Sequence, residues 1–189
     1  VTAHPAMVKA AQYFNVHPVF VKVDPKTQLP DPSDYEKLIS PNTIVLVGSA
    51  PQYPHGIVDP IPEIAEIAKK NGIPMHVDAC IGGYILPWLE KLGTIVNPWD
   101  FRVEGVTSIS TDCHKFAYCD KGASVLLFKN RNIRRCQFSV FAGWPGGMYI
   151  SPSMMGSRGG GPIASAWASM VSLGQEGFLS RAHRIQDTF

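Results

Sequence analysis

Along the chain, short stretches with apolar residues at helical spacing alternate with short β-branched runs, the pattern of an α/β fold with a mostly parallel sheet flanked by helices. Ala6 to Phe14 has helical spacing, and His17 to Val23 is β-branched and aromatic, as a strand would be. Ser33 to Ile39 reads as a short amphipathic helix behind Pro32, and Thr43 to Val47 as a fully apolar, buried strand. A loop rich in Gly and Pro follows from Gly48 to Pro60. Ile61 to Asn71 has both helix boundaries marked, with Pro62 in its first turn and Gly72 just past its end. Ile64, Ala65, Ile67 and Ala68 fall on one side of it, and Pro74 to Asp78 reads as the next buried strand.

Further along, Tyr84 to Leu92 predicts a helix, Val106 to Ser110 and Ala123 to Phe128 two strands, and Ile163 to about Leu173 a long helix behind a glycine cluster. Thr111 to Gly122, between the two strands, is long and polar, unlike a simple hairpin turn. Nothing resembles a linker, so residues 1–189 are expected to form one domain. Val1 is not an initiator Met, and Phe189 ends inside a helical pattern, so the chain reads as an internal segment.

Composition narrows the function classes. Seventeen Lys and Arg against fifteen Asp and Glu give a formal charge of +2, which argues against a nucleic-acid-binding module with a clustered basic face. Hydrophobic residues at 45% and charged residues at 17% provide for a core and are too weakly charged for disorder. The longest uncharged run, Cys136 to Ser157, is broken by Pro145, Pro152 and Gly146-Gly147, so it cannot span a membrane and is expected to be buried against protein. Cys80, Cys113, Cys119 and Cys136 match neither a zinc knuckle nor a disulfide framework, which points to a reducing compartment.

Functional groups in open α/β sheets gather at the carboxyl ends of strands, and two clusters fall there. In His76-Val77-Asp78-Ala79-Cys80 a period of two puts His76, Asp78 and Cys80 on one face. A buried Asp needs a cation or donors; helix capping and a zinc site from His76, Asp78 and Cys80 are the competing readings. The second cluster is Ser108 to Lys115, followed by Tyr118 and Lys121. A lysine sheltered behind a strand end can lose its proton and attack a carbonyl group to form a Schiff base. A strand-end Asp upstream of a strand-end Lys is the arrangement that pyridoxal 5'-phosphate chemistry needs, the Lys holding the aldehyde and the Asp keeping the pyridine nitrogen protonated. His4, at the start of the first helix, fits the stacking group wanted over such a ring.

The motifs Thr2-Ala3-His4-Pro5-Ala6, Gly48-Ser49-Ala50-Pro51-Gln52-Tyr53-Pro54-His55-Gly56, His76-Val77-Asp78-Ala79-Cys80-Ile81-Gly82-Gly83, Ser110-Thr111-Asp112-Cys113-His114-Lys115 and Gly156-Ser157-Arg158-Gly159-Gly160 cover essentially the whole chain. Together they resemble the pyridoxal-phosphate-dependent group II decarboxylase family, of the aspartate-aminotransferase (type I) fold, and within it the carbon–carbon lyases of phosphorylated sphingoid bases. The resemblance implies that residues 1–189 belong to the cofactor-binding large domain, with the upstream phosphate-gripping helix start and the C-terminal small domain outside them. It implies that Lys115 forms the imine with the cofactor, Asp78 binds the pyridine nitrogen, His4 stacks on the ring and Cys80 approaches its opposite face. Asp112 and His114 would lie near the cofactor. Lys121, Tyr118 and His55 would meet the substrate phosphate or assist proton transfer, with Ser157 and Arg158 helping to build the headgroup site.

Two positions depart from the family pattern: Phe116-Ala117-Tyr118 stands where an aromatic-Gly-Tyr run is common, and Gly159 where Pro is common. The implied reaction is retro-aldol cleavage of a phosphorylated long-chain base into a fatty aldehyde and phosphoethanolamine. An amino-acid decarboxylase of the same family, or a non-catalytic or metal-binding α/β domain, are the alternatives. The resemblance also implies a homodimer and a cytosolic site, facing the cytosol at the endoplasmic reticulum through an N-terminal anchor if the source is eukaryotic.

Overall fold

Four strands make one sheet in the order β1 (Leu46–Ser49), β2 (Met75–Asp78), β3 (Val106–Asp112) and β4 (Ser124–Phe128) in the computed structural model, which describes residues 1–188. β1, β2 and β3 run parallel because helical crossovers return the chain between them, whereas β4 follows β3 through a loop and pairs antiparallel. The crossovers are α3 (Ile61–Lys70) and, after a 3₁₀ turn at Gly82–Tyr84, α4 (Leu86–Lys91). α1 (Ala6–Tyr13) and α2 (Pro32–Leu38) precede the sheet, and the Asp31 carboxylate caps α2 by accepting the Ser33 N–H.

The core lies between the sheet and α3. Ile61, Ile64, Ala65 and Ala68 line the buried face of α3 and meet Met75, Val77 and Val106 from the strands. The Gly82-Gly83 pair brings the 3₁₀ turn onto the strand ends: a Cβ on Gly82 would overlap the carbonyl oxygen of Ala50, and one on Gly83 would overlap the Thr111 hydroxyl. Because the Gly82 obstacle is backbone, Gly82→Ala is expected to cost about 1–3 kcal/mol. The check is the thermal midpoint of the variant, which should fall while a Gly72→Ala control, in open space, loses only what its positive φ demands.

Several expectations are corrected. His17 to Val23 is extended and mostly exposed but joins no sheet; its one ladder contact is an isolated bridge between Val23 and Pro30, because no neighbouring strand lies beside it. β1 begins at Leu46 rather than Thr43, and β3 runs on to Asp112, so Asp112 is strand rather than loop. The uncharged Cys136–Ser157 stretch is not buried in this chain. It holds a separate hairpin of β5 (Ser139–Phe141) and β6 (Tyr149–Ser151), which pair only with each other and leave residues 134–150 exposed. A short α5 (Arg131–Arg135), capped by the Asn130 side chain, precedes it.

The helix expected to end near Leu173 is the first half of α6 (Gly161–Gln186), which kinks at Gly174 (φ 56°) and continues. Its second half buries Phe178 and Ala182, with Phe178 stacked on Trp88 at 5.1 Å between ring centroids. Phe189 lies outside the described residues.

Candidate active site

Parallel pairing sets β2 and β3 so that His76 faces Ser108 and Asp78 faces Ser110. The period-two spacing of His-x-Asp therefore meets the same spacing of Ser-x-Ser, and the four polar side chains fall in one line. Direction along that line follows from chemistry. The Ser110 hydroxyl donates to Asp78 Oδ1 at 3.1 Å, so its oxygen is left to accept from His76 Nε2–H, also at 3.1 Å. His76 Nδ1 then accepts from the Ser108 hydroxyl at 2.9 Å. Every hydrogen bond in the chain points towards the Asp78 carboxylate.

Burial holds the His76 pKa below its ordinary value of 6.5, with the Asp78 charge opposing. A histidine that stays neutral in the fold but protonates when unfolded contributes stability above pH 6.5, lost as pH falls towards the lower folded value. The thermal midpoint should therefore decline with acidification through that window, and His76→Asn should flatten that part of the profile.

Asp78 is 6% exposed and takes a second hydrogen bond from the Cys80 N–H at 3.1 Å, again on Oδ1. Oδ2 receives no protein donor among the described residues and is free for an incoming N–H. The Cys80 carbonyl accepts the Asp112 N–H at 3.2 Å, and Asp112 Oδ2 lies 3.2 Å from Lys115 Nζ. One connected path thus runs from the Asp78 carboxylate through Cys80 and Asp112 to the Lys115 amine, all at the carboxyl ends of β2 and β3.

The Cys80 thiol feels both ends of that path. Its pKa is raised, chiefly by burial and secondarily by Asp78, with Lys115 pulling the other way. For Lys115 burial pulls the pKa down, but Cys80 and Asp112 together outweigh it, so the net shift is upward. The amine is charged at neutral pH, with a carboxylate in contact to take its proton. Asp112 is itself held by the Ser124 hydroxyl at 2.5 Å on Oδ1. His114 donates from Nδ1 to the Ala123 carbonyl at 2.6 Å, which leaves Nε2, 3.6 Å from Asp112 Oδ2, facing the cluster.

The loop carrying Lys115 is fastened to α6 by Ser169, whose hydroxyl donates to the Ala117 carbonyl at 2.6 Å, and by the Asp120–Ser165 pair. Tyr118 takes a positive φ of 59° there, and its ring lies under Arg181 at 5.1 Å and beside Phe178. Lys121 is exposed on the same loop, and Ser157 and Arg158 are exposed in the turn before α6. His4 is exposed, its Nδ1 accepting the Ala6 N–H at 3.1 Å, with its ring edge-on to Tyr53 at 6.0 Å. His55 meets Gln52 Oε1 at 3.1 Å. The loop bearing Tyr53 and His55 starts beside Asp78, where the Ala50 N–H donates to the Asp78 carbonyl at 2.9 Å.

Asp78, Cys80, Asp112 and Lys115 therefore form one hydrogen-bonded cluster, with His114 beside it but bonded to Ala123; His4, His55, Lys121, Ser157 and Arg158 stand outside its hydrogen bonds. Ser108 and Ser110, which the sequence places in the second cluster without a role, support Asp78 through the matched spacing of Ser108-x-Ser110 and His76-x-Asp78, and Ser124, which the sequence does not mark, supports Asp112. For the zinc alternative, His76 commits both ring nitrogens to serines, and no three His, Cys, Asp or Glu side chains converge to hold a metal ion among the described residues. The donor set fits a pyridine aldehyde: a carboxylate with one open oxygen, an amine with an adjacent proton acceptor, and a thiol between them.

The pyridoxal-dependent decarboxylase conserved domain matches residues 2–178. The sphingosine-1-phosphate lyase of Dictyostelium discoideum is 48% identical over 188 residues, covering 100% of this chain and 36% of that protein. That of Oryza sativa subsp. japonica is 49% identical over 98% of this chain and 34% of its own length. The chain thus spans about a third of these relatives. Among solved structures, a sphingosine-1-phosphate lyase of Burkholderia pseudomallei superposes with a TM-score of 0.94 at 46% identity, over 97% of this chain and 42% of that one. Glutamate decarboxylase of Lactobacillus brevis shares the fold, with a TM-score of 0.84 at 18% identity over 98% of this chain and 43% of that one.

Proposed function

The chain belongs to the pyridoxal-dependent decarboxylase family, and from that premise we propose that the protein carrying it is a pyridoxal-phosphate-dependent aldehyde-lyase. Its substrate is a phosphorylated sphingoid base, cleaved between the second and third carbons into a fatty aldehyde and phosphoethanolamine. The observation that carries the reading is the path from Asp78 through Cys80 and Asp112 to Lys115, which sets a carboxylate and an amine at one sheet end. The 46% identity with a solved sphingosine-1-phosphate lyase supports the choice of substrate class.

When bound, pyridoxal phosphate supplies an electron sink for the pair released by the breaking carbon–carbon bond. The protein's residues prepare for it. Lys115 Nζ is the amine that would hold the cofactor aldehyde, and Asp112 can take the proton the amine must shed first. Asp78 Oδ2 would accept the ring N–H, with Ser110 and Cys80 holding Oδ1 so that the carboxylate stays charged. Cys80 would line one face of the ring and His4 the other. Lys115 Nζ, with Asp112 in contact, would also be the group placed to carry a proton to the substrate carbon. Lys121, Tyr118, Ser157 and Arg158 are proposed for the phosphate end of the substrate.

The decarboxylase character of the family favours a second reading, an amino-acid decarboxylase using the same Lys115 and Asp78. Incubating the full-length protein with a phosphorylated sphingoid base, glutamate and aromatic amino acids separates the two: the lyase reading expects aldehyde from the first, and carbon dioxide from the others would replace it. A homodimer is part of the proposal. The β5–β6 hairpin with Phe141, Trp144, Met148 and Ile150 exposed supports it, and light scattering of the full-length protein tests it. A cytosolic location for this domain, at the endoplasmic reticulum in a eukaryote, is the companion proposal. The four free cysteines are in keeping with it, and protease protection of microsomes tests it.

A further inference from the structure

The loop after β1 contains a buried polar unit that the reaction above leaves unused. Gln52 is fully buried and Asp59 4% exposed. The Gln52 side-chain nitrogen donates to the Gln28 carbonyl at 2.9 Å and to Asp59 Oδ1 at 2.7 Å. Asp59 Oδ2 in turn accepts the Ser49 N–H at 2.7 Å. A backbone carbonyl can only accept, so the contact with Gln28 alone fixes which end of the amide is nitrogen, and Asp59 reinforces it. The amide oxygen must then face the other way, and His55 Nδ1 is 3.1 Å from it. An oxygen acceptor there requires a hydrogen on Nδ1. In the neutral ring Nε2 is consequently the bare nitrogen, a hydrogen-bond and proton acceptor that cannot donate.

The turn itself is closed around this unit. The Gln52 N–H donates to the Ile57 carbonyl at 2.8 Å, the Gly56 N–H to the Gln52 carbonyl at 3.0 Å, and the Asp59 N–H to the Ser49 carbonyl at 3.0 Å. Gly56 takes φ +68°, which a side chain would resist. His55 thus hangs from a braced turn on the loop that begins beside Asp78 and carries Tyr53 against His4.

We propose that Gln52, oriented by Gln28 and Asp59, is a positioning residue that locks the neutral His55 ring with Nδ1 protonated and Nε2 open, so that His55 can take a hydroxyl proton of the substrate. This deepens the lyase reading and rests on it for the substrate, but the tautomer itself is a property of this chain alone.

The test is ¹⁵N NMR of full-length protein labelled at histidine and free of cofactor, with the His55 signals identified by their loss in His55→Asn. The expected result is a protonated Nδ1 and an unprotonated Nε2. Gln52→Met, which keeps volume and removes the amide, should abolish that preference. Gln52→Glu should keep it, since a protonated Glu can donate to Asp59 and still accept from His55. In the lyase assay Gln52→Met should lower kcat about tenfold with little change in KM for the phosphorylated substrate, and Gln52→Glu should recover most of it. A proton on Nε2 in the wild type, or the same tautomer in a folded Gln52→Met variant, overturns the proposal, as does a Gln52→Met variant of unchanged kcat. The expected tautomer pattern in a protein without lyase activity would instead sink the reaction assigned above and leave the lock standing.

Discussion

Replacing Lys115 with alanine is expected to abolish lyase turnover, by on the order of 10⁴-fold or more, as loss of a covalent catalytic group does. The same variant should lose the visible absorbance of protein-bound cofactor. Lys115 Nζ lies 3.2 Å from Asp112 Oδ2, so the amine has a proton acceptor in contact and sits at the end of the path to Asp78. Lys115→Arg separates charge from chemistry: it keeps a cation beside Asp112 but offers no amine nucleophile at neutral pH, so it too should be inactive. A small primary amine added to Lys115→Ala should restore part of the rate. A Lys115→Ala enzyme with near-normal turnover would remove the residue from the reaction altogether.

Asp78→Asn should cripple cleavage while sparing most of the cofactor affinity, with kcat falling roughly 10²–10³-fold. The oxygen of Asn can keep the Ser110 and Cys80 donors now on Oδ1. What changes is the Oδ2 position, where an NH₂ would replace a charged acceptor. It would favour an unprotonated ring nitrogen, which is a poorer sink for electrons. Ser110→Ala takes one donor from Oδ1 and should give a smaller loss in the same direction, about fivefold to tenfold on the scale of one hydrogen bond to a charged group. Single-turnover rates with saturating cofactor measure both. An Asp78→Asn enzyme that loses cofactor affinity but cleaves normally when saturated would show that the carboxylate anchors rather than activates.

Much of this arrangement was legible in the sequence because it depends on period-two geometry at strand ends. His76 and Asp78 do share a face, and β2 ends where Pro74 to Asp78 suggested. Helix α3 was equally plain, since Pro62 and Gly72 mark its limits and its apolar side is continuous. Less visible was anything that depends on a distant partner. His17 to Val23 has the side chains of a strand but no neighbour to pair with, and three-residue strands such as β5 and β6 are too short to show a period among Gly and Pro. The continuation of α6 beyond Gly174 escaped because a positive-φ glycine resembles a helix stop when only local order is considered.

At the site, the carboxylate and the amine were marked by their positions, whereas their supports were not. Ser124 reaches Asp112 across the antiparallel β3–β4 pair from twelve positions on in the chain, and Gln52 is buried in a loop whose composition suggests only exposure. Both are fixed by tertiary contacts that leave no trace in spacing.

The central claim is that one amine and one carboxylate of this chain serve the same bound pyridine ring. Its most direct test is borohydride reduction of the cofactor-loaded full-length protein, followed by mass spectrometry of its peptides. The pyridoxyl mass is expected on the peptide containing Lys115, at full occupancy in the wild type and undiminished in Asp78→Asn. The same mass on Lys121 or another lysine, or no modified peptide from a protein that still cleaves its substrate, would contradict it.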